Sequence, residues 1–125
     1  MFKCVALCGA VWLGLWTAGC GANRGPSAAE GRALYAGNGC ASCHGATGHG
    51  DGQVAAALPS PPRDFRERAA FTKGTAVATI ATALAEGFGP DSKMPLFPHL
   101  MGSERQSLAM FVLELHNDVK RRISE

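Results

Sequence analysis

The chain has no marked excess of charge, no strand-like alternation and no phosphate-binding signature, and each absence removes a class of function. Its net charge of +2 comes from twelve lysines and arginines against ten aspartates and glutamates, too small and scattered an excess to make a nucleic-acid stripe. No run alternates apolar and polar residues convincingly, and no segment repeats, so the expected class is all-α. The glycine-rich stretch GATGHGDG at residues 45–52 lacks the Gly-Lys-Ser/Thr ending of a phosphate loop and follows no strand, which argues against nucleotide binding. At 125 residues there is room for one domain.

The apolar content is ordinary at 46% but concentrated at the N-terminus. There Lys3 precedes an apolar run over residues 4–16 and the small residues Thr17-Ala18-Gly19, the three regions of a secretory signal. Cys20 directly after Ala-Gly looks like the cleavage and lipidation box of bacterial lipoproteins, although Thr17 stands where leucine is usual. Ordinary cleavage after Gly19 or Ala22 is one rival. An uncleaved anchor is the other, since the 20 residues between Lys3 and Arg24 carry no charge and about 20 suffice to span a bilayer. All three readings place the remainder outside the cytoplasmic membrane, where free thiols tend to oxidise. Of five cysteines, Cys4 and Cys8 would leave with the signal as small apolar fillers and Cys20 would carry lipid, so only Cys40 and Cys43 remain.

Residues 21–26 are small, polar and broken by glycine and proline, as in a short tether. Ser27 with Glu30 matches a capping box, and Gly31, Leu34 and Tyr35 then share one face of a helix that Gly37 and Gly39 end. Residues 45–62 read as loop. Val77, Ile80 and Leu84 lie at helical spacing before Gly87, predicting a helix over 75–86. A second proline-rich loop follows. Ser103 with Gln106 forms another capping box, and Leu108, Phe111, Val112 and Leu115 stripe a closing helix expected to end near His116 or Asn117.

The chemistry concentrates in Cys40-Ala41-Ser42-Cys43-His44, the C-x-x-C-H attachment signature of c-type haem. Two thiols one turn apart suit the two vinyl groups along one porphyrin edge, and the next residue, His44, falls where an imidazole reaches iron. A thioredoxin-like pair would want a βαβ context that is missing, a structural zinc site a second ligand pair, and a plain disulfide leaves His44 without a role. The cofactor expected is one covalently attached haem c.

With these residues in view the chain resembles the class I monohaem cytochromes c of small bacterial type over roughly residues 30–116. Residues 31–35 resemble their N-terminal helix. The stretch from His44 through residues 45–52 to Pro62-Arg63-Asp64-Phe65 looks like a recurrent subgroup, and Met94-Pro95-Leu96-Phe97 is similar to the loop that carries the second axial ligand. One departure is Gly39, which adds a residue between Tyr35 and Cys40. The resemblance implies a cytochrome c-like fold of three to five short helices around one haem, and the expected organisation is residues 1–19 as lipoprotein-type signal, 20–27 as tether and 28–120 as the domain. It also implies a first helix crossed by the last at Gly31.

Met94 lies 50 residues after His44 and directly before a proline, which biases it toward extended loop and leaves its thioether free to reach iron. Met110 fits core packing better, and Met101 precedes a helix cap. Among the histidines, His49 is too close to His44 to cross the ring, His116 is expected at a solvated helix end, and His99 is the bis-histidine candidate; an open site is the remaining option. The loop glycines are expected to let backbone pass close to the porphyrin, and a carbonyl from residues 59–62 to orient His44. Arg63 is either a propionate partner or a plain surface arginine.

Iron closed by His44 and Met94 offers no substrate position, so the expectation is electron transfer rather than an enzyme, with a soft thioether raising the potential. The expected partners are redox proteins, membrane-associated, reached from the periplasmic side of a bacterial membrane through a lipid on Cys20, or from a soluble periplasmic form. The alternatives are a haem-based gas sensor or peroxidase-like enzyme with an open sixth position, or a subunit wired into a larger complex.

Overall fold

The computed structural model describes residues 25–123; the expected signal segment, Cys20 and the first part of the tether lie outside the described residues. Ser27 opens helix α1 (Ala28–Gly37) from extended backbone, its hydroxyl accepting the Glu30 N–H at 3.2 Å. Only this half of the capping box forms. The Glu30 carboxylate instead accepts the Ser107 hydroxyl at 2.6 Å, and Ser107 Oγ accepts the Ser27 N–H at 3.0 Å. The cap is thus built across two helices. At the other end the Asn38 N–H and side-chain amide both donate to the Leu34 carbonyl at 2.9 Å.

Gly39 follows at φ +72°, a left-handed conformation that costs glycine little. It reverses the chain at once into α2 (Cys40–His44). The extra residue is absorbed in this pivot, and the crossing of α1 with the last helix is tight.

Helix α3 (Val77–Glu86) begins at Ala76 without a side-chain cap and buries Ile80, Ala81, Ala83 and Leu84. Helix α4 runs Gly102–Ile123, which corrects two expectations. Its start is tied by Glu104, whose carboxylate accepts the Met101 N–H at 2.7 Å, so Ser103 lies inside the helix rather than capping it. Its end lies beyond Asn117 because no glycine or proline follows Gly102 in the sequence, so nothing breaks the helix where the apolar stripe stops.

Helices α1 and α3 both pack on α4. The larger core gathers Tyr35, Leu84, Phe97, Leu100, Leu108 and Phe111, and a smaller one gathers Ile80, Ala81 and Ala109. At the α1–α4 crossing a Cβ on Gly31 would lie on the Ser107 carbonyl and 2.9 Å from Phe111 Cβ. That notch lets the ring of Tyr35 meet Phe111 edge-on at 5.2 Å. The remaining chain is loop with two single 3-10 turns, Ala55–Ala57 and Arg68–Ala70. Among the described residues there is no strand, and no helix long and apolar enough to cross a membrane.

Candidate functional site

Helix α2 is five residues long, so most of its carbonyls lack a partner within it. The glycine-rich strap supplies them. The N–H groups of Gly50, Gly52 and Val54 donate to the carbonyls of His44, Cys43 and Ser42 at 2.9, 3.1 and 3.0 Å. Two glycines leave the room this needs: a Cβ on Gly52 would come within 2.6 Å of the Ala41 carbonyl oxygen in α2, and one on Gly50 within 2.5 Å of the Pro62 carbonyl oxygen. These contacts revise the expectation for the loop glycines, which make room for protein backbone, and none of Gly45, Gly48, Gly50 and Gly52 lines the cavity beside Cys40, Cys43 and His44. Tyr35 closes the same corner, donating its hydroxyl to the Gly45 carbonyl at 2.7 Å.

His44 is 8% exposed. Its Nδ1 lies 3.2 Å from the Arg63 carbonyl oxygen. A carbonyl only accepts, so Nδ1 carries the proton and Nε2 keeps its lone pair. The orienting carbonyl is one residue beyond the 59–62 segment that the sequence suggested, because the chain comes level with the imidazole only after the last proline. Burial holds the His44 pKa below its usual range, with the Arg63 carbonyl opposing that shift, so the neutral ligand form prevails. The ring of Phe65 stacks on the imidazole at 4.4 Å and 20°.

Arg63 itself is engaged within the protein, its Nη1 donating to the Ala70 carbonyl at 2.7 Å and to Thr72 Oγ1 at 2.9 Å. These bonds close a loop over residues 63–72 beside His44. Asp64 and Arg66, two residues apart at its start, pair with each other, and the Arg66 guanidinium lowers the Asp64 pKa.

Cys40 and Cys43 are not joined to each other, and both are half-buried. Burial pushes the Cys40 thiol pKa up. With His44 and Met94 they line one cavity of about 510 Å³, whose remaining wall is largely apolar and includes Leu84 and Phe97. Met94 is reached from α3 through a loop pinned at both ends. Gly87 closes the helix by donating to the Ala83 carbonyl at 2.8 Å, and the Phe97 N–H returns to the Leu84 carbonyl at 2.9 Å. Phe97 and Leu100 are buried while Met94 packs half-buried against the larger core.

The other ligand candidates fall elsewhere. His99 is exposed and 3.2 Å from Asn38 Oδ1, Met101 is 64% exposed, and His49 is exposed; none lines the cavity. His116 corrects its expectation outright. It is 5% exposed rather than solvated, because α4 continues past it, and its Nδ1–H donates to the Phe65 carbonyl at 2.9 Å. No sequence signal marked that contact, since its acceptor is a backbone oxygen.

The donor set suits a covalently held haem. Two thiols one helical turn apart, a neutral imidazole and a thioether line a single apolar space within the size range of cofactor pockets. No group of three or more His, Cys, Asp or Glu able to hold a metal ion occurs among the described residues. Comparison with protein families finds that a family model described as Cytochrome c matches residues 28–116. No curated protein and no solved structure matched.

Proposed function

This chain belongs to the cytochrome c family and carries a covalently attached haem c for electron transfer, and we infer that it is a dedicated carrier, not an enzyme, with His44 and Met94 as axial ligands and Cys40 and Cys43 as thioether anchors. The bound haem supplies a reversible one-electron Fe(II)/Fe(III) couple. The observation that carries the reading is that all four side chains line one cavity while Nδ1 of His44 is already spoken for. The Arg63 carbonyl fixes the tautomer and turn of the imidazole and raises its basicity. Met94 contributes a soft donor that favours Fe(II). The loop pinned on either side of Met94 would hold that donor in place toward a bound iron. The apolar residues of the wall, Leu84 and Phe97 among them, would limit water around the bound group.

The test is spectroscopic. The Fe(III) form should be low-spin with the weak far-red absorption of a sulfur-to-iron bond, and the Fe(II) form should bind carbon monoxide poorly. Met94→Ala should lower the potential and admit carbon monoxide. High-spin iron, or rapid carbon monoxide binding by the unmutated protein, would instead favour the gas sensor or peroxidase-like reading.

The family's domains are generally found outside the cytoplasmic membrane. The Ala18-Gly19-Cys20 sequence supports a finer placement on the periplasmic face of a bacterial membrane, held by lipid on Cys20 and serving membrane-associated redox partners. Two acyl chains on Cys20 would suffice for stable anchoring. The short tether would keep residues 28–120, the haem-bearing domain, concentrated near those partners. Mass spectrometry of the mature protein should find a lipidated Cys20 as its first residue; an unmodified N-terminus after Gly19 or Ala22 would replace the anchor with a soluble form.

A further inference from the structure

Two histidines bond to carbonyls of the segment 63–66. His44 meets it through the Arg63 carbonyl and the stacked Phe65 ring. His116, on α4, meets it through the Phe65 carbonyl, and its ring also packs edge-on against Phe71 at 5.0 Å. Phe71 lies 6.4 Å from Phe65. The rings therefore run His44, Phe65, Phe71, His116 from the site to the closing helix. Both backbone groups of Phe65 are tied, its N–H to the Gly48 carbonyl at 2.7 Å and its carbonyl to His116 at 2.9 Å. The first tie belongs to the strap beneath α2. The second is the segment's hydrogen-bonded tie to the helical core.

We propose that His116 is a positioning residue for the proximal ligand, holding Phe65 so that the Arg63 carbonyl and the Phe65 ring keep His44 in one orientation and with one donor strength. This rests on His44 being an axial ligand. The physical link is short. Arg63 lies two residues from the tied carbonyl, so releasing the carbonyl side of Phe65, with only its N–H still held by Gly48, lets the Arg63 oxygen drift from Nδ1. Hydrogen-bond strength falls steeply with distance and angle, and a weaker bond leaves the imidazole a poorer donor. A poorer donor stabilises Fe(III) less, so the potential rises. A buried histidine kept only for packing would show no such link, since any apolar group of similar volume would serve.

The test uses holoprotein with two substitutions. His116→Leu fills much of the volume and has no donor, whereas His116→Asn places an amide N–H close to where Nδ1 stands. The Leu variant should show a raised midpoint potential and faster solvent exchange of the His44 Nδ1 proton, with the low-spin spectrum retained. The Asn variant should return both toward the unmutated values. An unchanged potential and exchange rate in His116→Leu overturns the proposal whatever happens to its melting temperature. So does a shift in His116→Asn as large as that in His116→Leu.

If the Leu variant yields no holoprotein, nitrogen-labelled histidine in the unmutated Fe(II) protein gives the answer. His116 Nδ1 should be protonated and slow to exchange, and an unprotonated or fast-exchanging Nδ1 overturns the clamp. The same spectrum separates the two readings. His44 ring signals displaced strongly upfield by the haem mark it as the axial ligand, and their absence would count against the ligand assignment rather than against His116.

Discussion

The α1–α4 crossing and the strap beneath α2 both depend on glycine, in different ways. At the crossing Gly31 sits within regular helix, and what matters is the missing side chain: Ser107 and Phe111 of α4 occupy the space a Cβ would need. In the strap Gly50 stands at φ +75° and also approaches the Pro62 carbonyl, so both its conformation and its bareness are used. The crossing joins helices through side chains and buries Tyr35, Leu108 and Phe111. The strap joins backbone to backbone, and no residue from 51 to 63 is buried. Global stability should therefore reside at the crossing, and the fine geometry of His44 in the strap.

Gly31→Val tests that division with the largest expected effect. The new side chain meets backbone that cannot rotate away, so the helices must separate, at a cost of about 3 kcal/mol or more. A fall in denaturation midpoint with little change in the visible spectrum of the surviving holoprotein is the expected pattern. Gly50→Ala is its counterpart. Strain at positive φ and the close Pro62 carbonyl together cost about 1–3 kcal/mol, and the bond from the Gly50 N–H to the His44 carbonyl is disturbed. Its potential should move more, and its stability less, than in Gly31→Val. The reverse order would dissolve the comparison.

How much of this was legible follows the same line. Side chains at regular spacing announced α1, the Gly31 notch and the α3 stop at Gly87, and C-x-x-C-H announced the attachment site; all are features of residue type and period. Contacts that end on backbone oxygens left no trace. The Arg63 carbonyl, the Phe65 carbonyl and the three strap acceptors could be any residues, so the sequence misplaced the first by one position and was silent on the others. Cap patterns occupied a middle ground. Ser27 capped as read, but Glu30 found the Ser107 hydroxyl of another helix, and at α4 it is Glu104 that accepts the Met101 N–H while Ser103 lies inside the helix. A local pattern names a donor or acceptor, and tertiary neighbours decide its partner.

Ser107 sharpens the crossing side with an intermediate effect. Its hydroxyl is 0% exposed as a residue and joins the Ser27 N–H to the Glu30 carboxylate. Ser107→Ala removes both bonds while adding no bulk, and Glu30 can turn outward to water since it is exposed. A loss of about 1–2 kcal/mol follows from one half-buried N–H left without its acceptor. Urea denaturation of the holoprotein measures it. A loss near zero would mean that water enters and replaces the hydroxyl.

The smallest expected effect also lies at the crossing, on its outer edge. Arg32 reaches Glu114 at 3.2 Å, and its guanidinium carbon stands 4.8 Å from the centre of the Phe111 ring. The pair looks like a latch between α1 and α4. Its side chains are 64% and 37% exposed, however, and pairs so open to water give about 0.2–1 kcal/mol once the freedom lost by two long side chains is counted. The ring contact adds about 0.5 kcal/mol at an exposed site. A double-mutant cycle with Arg32→Met and Glu114→Gln isolates the ion pair, because methionine keeps much of the apolar stem over Phe111 and loses only the charge. The coupling should be about 0.5 kcal/mol or less at low salt and shrink as salt shortens the Debye length to about 3 Å near 1 M. A coupling above about 1.5 kcal/mol that survives high salt would show that charge holds the two helices together, and would remove Gly31 and its bare backbone contact from the centre of the crossing.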